Sequence, residues 1–131
     1  LLDEFLVREA EAGRAPLNLG PVEAQAMLVH THCHQKALGR EGATETVLRR
    51  IPGLEVHTLR SGCCGMAGTY GHEVEHLNNS RKLFDLSWKK PNEKSVCSAA
   101  TGFSCREQTA RFGVNNTKHP ASVLLSLIDK P

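Results

Sequence analysis

Long apolar runs are missing from this sequence. Val123-Leu124-Leu125 and Ala26-Met27-Leu28-Val29 are far too short to cross a bilayer. Aromatics are scarce, with one Trp, one Tyr and four Phe, so there is no stacking platform for nucleic-acid bases. Neither sign of charge dominates: 16 Lys and Arg stand against 14 Asp and Glu, a net +2. No basic run is long enough to follow a phosphate backbone. The G-x-x-x-x-G-K-[ST] cradle is absent, and the glycines spaced along 62–71 are weak support for any nucleotide. No cationic stretch leads into an apolar one, so a secretion signal is not expected. What remains is 131 residues, 40% apolar and 23% charged. That is enough for one core, burying roughly two-thirds of the unfolded surface.

Five cysteines and seven histidines are the unusual features. An odd cysteine count with Cys63 and Cys64 adjacent is a poor disulfide framework, because a vicinal pair strains its own peptide. Thiols kept reduced for chemistry or metal in a reducing compartment fit better; the location expected is the cytoplasm, with the periphery of the inner membrane as the alternative. The chain opens at Leu1 in a helical pattern and reads as a piece of a longer protein.

Leu1, Leu2, Phe5 and Leu6 predict a helix over residues 1–12, and Pro16, Gly20 and Pro21 predict a linker arm to residue 25. Residues 26–131 then read as the main domain. Ala26–Val29 is a run suited to a strand covered on both faces, and a helix is expected from Gln35 to Arg50, weakened at Gly39 and Gly42. Leu54–Leu59 alternates as a second strand. A glycine-rich loop, Ser61–Gly71, precedes a helix over 73–88. After a polar turn at 89–94, a third strand is expected over 95–100 and a helix over 106–112. A short fourth strand is expected around Val114, and Pro120 opens a last helix ending near Ile128. Strands alternating with helices give an α/β fold with a small, mostly parallel sheet of three to four strands.

Cys33 follows the first strand, Cys63 and Cys64 the second, and Cys105 the third. In a parallel sheet these loops share the carboxyl edge, so the four cysteines are expected on one patch. Nearby helix N-termini favour thiolates. Four thiolates match a zinc site or an iron–sulfur centre. Gly62, Gly65 and Gly68, with Gly71, would let the backbone wrap closely and aim N–H groups at sulfur.

His32-Cys33-His34, Cys63-Cys64-Gly65-Met66-Ala67-Gly68, Thr101-Gly102-Phe103-Ser104-Cys105-Arg106 and His119-Pro120 together resemble the cysteine-rich CCG domain family. That family includes the iron–sulfur subunits of glycolate oxidase and of anaerobic glycerol-3-phosphate dehydrogenase, the lactate-utilisation iron–sulfur proteins, and a cysteine-rich component of heterodisulfide reductase. The wording is most similar to the C-terminal part of bacterial FAD-linked oxidases fused to an iron–sulfur segment, and the resemblance spans about residues 22–128. It implies Cys33, Cys63, Cys64 and Cys105 as ligands of an iron–sulfur cluster, with zinc as the alternative. It also implies electron passage from a 2-hydroxy acid dehydrogenase to an acceptor, with FAD and ferredoxin-like segments elsewhere in the parent oxidase. The family pattern ends in C-x-x-C, whereas Gly102 stands three residues before Cys105, which weighs against a complex multi-iron cluster. Cys97 matches no family ligand and reads as a core cysteine.

His32 and His34 are expected beside the ligands rather than among them. His72-Glu73-Val74-Glu75-His76 matches H-E-x-x-H but lacks a third ligand and a cleft, and reads as a solvated helix start. His57 is expected half-buried in its strand, and His119 as a cap of the last helix. Lys36 and Arg106 either offset thiolate charge, contact an anion, or are simply solvated. Three functions stay open: an electron-transfer module, a structural zinc module, or a thiol-redox site using Cys63 and Cys64.

Overall fold

A computed structural model of the protein describes residues 1–14, 16–23, 26–66, 68–89 and 97–128. Strands β1 (Ala26–His30), β2 (Glu55–Thr58), β3 (Cys97–Ala100) and β4 (Thr117–Lys118) form one sheet in the order β2-β1-β3-β4. Every neighbouring pair is parallel. The helices are α1 (Leu2–Glu11), α2 (Cys33–Ala37), α3 (Gly42–Leu48), α4 (Leu77–Phe84), α5 (Phe103–Arg111) and α6 (Pro120–Leu125). Crossovers between parallel strands need long connections, and helices supply them here. The α/β fold expected from the alternation is the fold observed.

The central strand shows why the sheet is buried on both faces. Met27 and Val29 point into an aliphatic cluster with Val47, Leu48, Ile51, Val56, Val123 and Leu124. Leu28, one residue out of phase, points into a second cluster with Phe84, Trp88, Met66, Cys64 and Cys105. The period of two along a strand divides the residues between the faces in this way.

Several boundaries differ from expectation, each for a physical reason. The helix expected over 35–50 is two helices, because Gly39 takes a left-handed φ of 67° and ends the first. The fourth strand lies at Thr117–Lys118, beside Ser98 and Ala99, and not around Val114. Two residues carry too little periodicity to locate a strand. Helix α5 begins at Phe103, so Cys105 sits in its first turn. The helix expected over 73–88 opens as two short 3-10 turns, Tyr70–His72 and Val74–His76, and closes in a π-helical turn, Asp85–Lys89. The expected arm at 13–25 is pinned: Gly20 N–H donates to the Leu127 carbonyl at 2.9 Å, and Leu19 forms an antiparallel bridge with Ile128. Helix α1 packs its Leu6 and Val7 on the aliphatic cluster. Residues 90–94 of the polar turn expected at 89–94, and the first two residues of the expected third strand, lie outside the described residues. No helix among the described residues is long and apolar enough to cross a membrane.

Candidate metal centre

Three segments deliver four cysteines to the carboxyl edge of the sheet. Cys33 opens α2, directly after β1. Cys63 and Cys64 lie in the loop after β2, and Cys105 lies in the first turn of α5, after β3. The sulfurs meet in two pairs. Cys63 Sγ is 3.7 Å from Cys33 Sγ, and Cys105 Sγ is 3.5 Å from Cys64 Sγ. The first pair faces outward, with Cys63 exposed and Cys33 half-buried, while Cys64 and Cys105 are buried. Cys97 lies at the other end of the sheet, where its thiol donates to the Ala26 carbonyl at 3.2 Å.

The loop carrying Cys63 and Cys64 is tied from several sides. Lys36 Nζ donates to the Ser61 carbonyl at 2.7 Å, and His30 Nδ1 lies 2.9 Å from Ser61 Oγ. Gln108 Nε2, fully buried one turn after Cys105, donates to the Cys64 carbonyl at 2.6 Å and to the Ser80 carbonyl at 3.1 Å. Arg111 reaches the carbonyls of Gly71 and His72 at 2.6 and 3.1 Å. Helix α5 thus holds both ends of the glycine-rich loop. Sequence reasoning missed Gln108 and Arg111; the one available signal was helical spacing, which puts Gln108 three residues beyond Cys105 on the same face.

The glycines have separate duties. Gly65 has a φ of 74°, and its N–H donates to Cys63 Sγ at 3.3 Å. Gly68 has a φ of 64°, while Gly62 adopts no left-handed φ and has open space at its Cα. Gly102, not singled out as a site residue, keeps the cradle open. A Cβ there would stand 2.8 Å from Cys105 Sγ and 2.4 Å from His32 Cδ2.

The electrostatics follow the pairing. The Cys105 thiol donates to Cys64, and that bond, with backbone N–H groups at Met66 and Cys64, outweighs burial and pushes Cys64 down to about 6. Cys105, as the donor and itself buried, is pushed far above the usual thiol range. At Cys63 the Gly65 N–H favours the thiolate, but burial and the neighbouring Cys33 and Cys64 together raise it. His30 is pushed down to about 4, first by burial and then by Lys36 and His32. It is therefore neutral, packed 5.1 Å from the Trp88 ring.

The remaining expectations divide. His119 caps α6, its Nδ1 accepting from Ala121 N–H at 3.1 Å, and His32 Nδ1 likewise accepts from His34 N–H at 3.3 Å. His57 is exposed, contrary to expectation, and faces Glu55 at 3.3 Å, because it sits on the uncovered side of the edge strand β2. Arg106 is spent on the carbonyls of Ala100 and Thr101 at 2.8 and 3.1 Å. His76 pairs with Glu73 at 2.9 Å and stacks on Tyr70. A cavity of about 440 Å³ is walled mainly by Leu1, Leu2, Leu6, Leu38, Val47 and Leu124, with His32, Gly102 and His119 at one side; none of the four cysteines lines it.

The donor chemistry suits a thiophilic metal: four soft sulfurs, an N–H aimed at one of them, and a glycine leaving space beside another. As they stand the sulfurs form two pairs. Among the described residues no three His, Cys, Asp or Glu side chains are gathered to hold a metal ion.

Fold and site together define a small parallel α/β module with a cysteine group at the carboxyl edge of its strands. No protein-family model matches the chain, and no solved structure matches it. Among curated proteins it is 39% identical over 111 residues to D-2-hydroxyglutarate dehydrogenase of Pantoea ananatis, covering 79% of this chain and 10% of that protein. It is 43% identical over 81 residues to the Pseudomonas putida dehydrogenase of the same name, covering 62% of this chain and 8% of that protein. One of the subunits of anaerobic glycerol-3-phosphate dehydrogenase from Escherichia coli is 31% identical over 125 residues, which is 95% of this chain and 31% of that protein. The chain is therefore related to a segment of dehydrogenase proteins. It spans about a tenth of the length of the first two relatives.

Proposed function

We propose that this chain is the cysteine-rich module of a flavin-linked 2-hydroxy acid oxidoreductase, and that Cys33, Cys63, Cys64 and Cys105 hold an iron–sulfur centre. One observation carries the reading: three separate segments bring two close sulfur pairs to one sheet edge, with glycine backbone beside them. When bound, such a centre supplies one-electron transfer. The chain's own part is to hold and insulate. Gln108 fixes the Cys64 carbonyl, Lys36 and His30 fix Ser61 ahead of Cys63, and Met66, Phe84 and Trp88 keep water from the inner pair. The Gly65 N–H favours negative charge on Cys63. The exposed Cys63 side of the group offers an approach for an electron acceptor. FAD and ferredoxin-like segments would belong to the rest of the parent oxidase, in the cytoplasm or at the inner-membrane surface.

The test is Cys64→Ser in the parent enzyme. Serine is a harder, poorly ionised donor. Flavin reduction by substrate should survive in stopped flow, while delivery to the acceptor falls. Loss of both, in protein still holding FAD, means the cysteines serve the oxidation itself and the reading is wrong.

A further inference from the structure

We propose that the same cysteines form a reversible oxidation site with fixed pairing, Cys33 to Cys63 and Cys64 to Cys105, that closes the metal centre to loading. The gating consequence rests on the reading of these residues as metal ligands. The pairing rests on the sulfur positions alone.

The sulfurs of the two pairs stand 3.7 and 3.5 Å apart, against about 2 Å in a disulfide. Each pair joins different segments, so closure bends no single peptide, whereas a Cys63–Cys64 link would. Cys97 has no route to any of them, since its thiol is held at the Ala26 carbonyl at the far end of the sheet. Access separates the pairs. Cys63 is exposed, while Cys64 and Cys105 keep only 4% and 1% of their surface. A small oxidant such as hydrogen peroxide therefore meets the outer pair first.

The chemistry balances. Cys63 sulfur attacks peroxide, the O–O bond breaks, and a sulfenic acid and one water result. Cys33 sulfur attacks that sulfur, the S–O bond breaks, and oxygen leaves as a second water with the Cys33 proton. Two thiols have given two electrons to one peroxide. A second peroxide closes the inner pair with the same stoichiometry. A dithiol reopens both by exchange. The outer link removes two of four donors, so only the reduced chain can load metal.

The experiment takes the metal-free, fully reduced 131-residue chain through stepwise addition of hydrogen peroxide. Free thiols are alkylated, and the links are mapped by peptide mass spectrometry. Matched samples are offered zinc ion alone. The expected result is a Cys33–Cys63 link first, a Cys64–Cys105 link second, and Cys97 alkylated throughout. Zinc uptake should fall at least about tenfold with the first link and return with dithiothreitol, as expected when half of a thiolate set is removed. Cys63→Ser, checked for an unchanged circular dichroism spectrum, should lose the outer link and keep the inner one. A Cys63–Cys64 link, any link to Cys97, or oxidation only to sulfinic and sulfonic acids overturns the pairing, and the inner link forming first overturns the outer pair as the gate. Equal zinc uptake before and after linking overturns the gate. A chain that forms both links but, when reduced, takes up no zinc overturns the gate and leaves the pairing standing.

Discussion

On one face of the sheet Val47, Leu48, Ile51 and Val123 pack an aliphatic core; on the other, Cys64, Cys105 and Met66 share the interior with Phe84 and Trp88. The first face has one duty, to bury surface. The second buries surface and supplies half of the sulfur donors. Its polar fixings, Gln108 and Ser80, lie inside, where each unmet bond is costly. The difference teaches that the fold should stand on the aliphatic face without metal, unlike a small module whose folding energy is its metal.

The largest expected effect comes from breaking the aliphatic face. Leu48→Ala should cost about 2–5 kcal/mol in denaturant unfolding, as large-to-small core changes do, with metal uptake per folded molecule unchanged. Acid acts on the other face, through His30. Its ordinary pKa near 6.5 falls to about 4 in the fold, so between those values the unfolded chain binds more protons. Stability from the neutral, buried imidazole is fully present above about pH 6.5. It declines as pH falls and is gone below about pH 4, a loss of about 3 kcal/mol. His30→Gln should flatten that part of the stability-against-pH curve.

Smaller, but sharper for the comparison, is Gln108→Leu. It strands the buried carbonyls of Cys64 and Ser80 and should cost about 1–3 kcal/mol. Unlike Leu48→Ala, it should also weaken metal uptake, because the carbonyl it releases belongs to Cys64, one of the four proposed ligands. Cys97→Ser should move stability by only about 0.5 kcal/mol and leave metal uptake unchanged, since a hydroxyl can still donate to the Ala26 carbonyl.

The alternation of strands and helices was legible because short apolar runs such as Met27, Leu28 and Val29, suited to doubly covered strands, alternate with helical patterns. The meeting of Cys33, Cys63, Cys64 and Cys105 was legible from topology, since loops after parallel strands share an edge. Their division into an outer and an inner pair was not. It depends on α5 starting at Phe103 and turning Cys105 inward, a boundary shift of about three residues. Gln108 and Arg111 were only faintly legible: spacing puts Gln108 one turn from Cys105, but the carbonyls the two side chains hold, at Cys64, Ser80, Gly71 and His72, come from distant segments that meet them only in the fold. The break at Gly39 was half-legible, because glycine weakens a helix anywhere but ends one only where the chain turns left-handed.

On the function proposed, the four cysteines form one metal centre built on a fold that does not need it. Anaerobic reconstitution of the reduced chain with iron and sulfide, followed by metal and sulfide analysis beside Cys64→Ser, tests it most directly. The expected result is coloured protein with bound iron and sulfide, a colourless variant with neither, and cooperative thermal unfolding of both. Equal loading of the two proteins, or no loading of the reduced chain by iron, would contradict it.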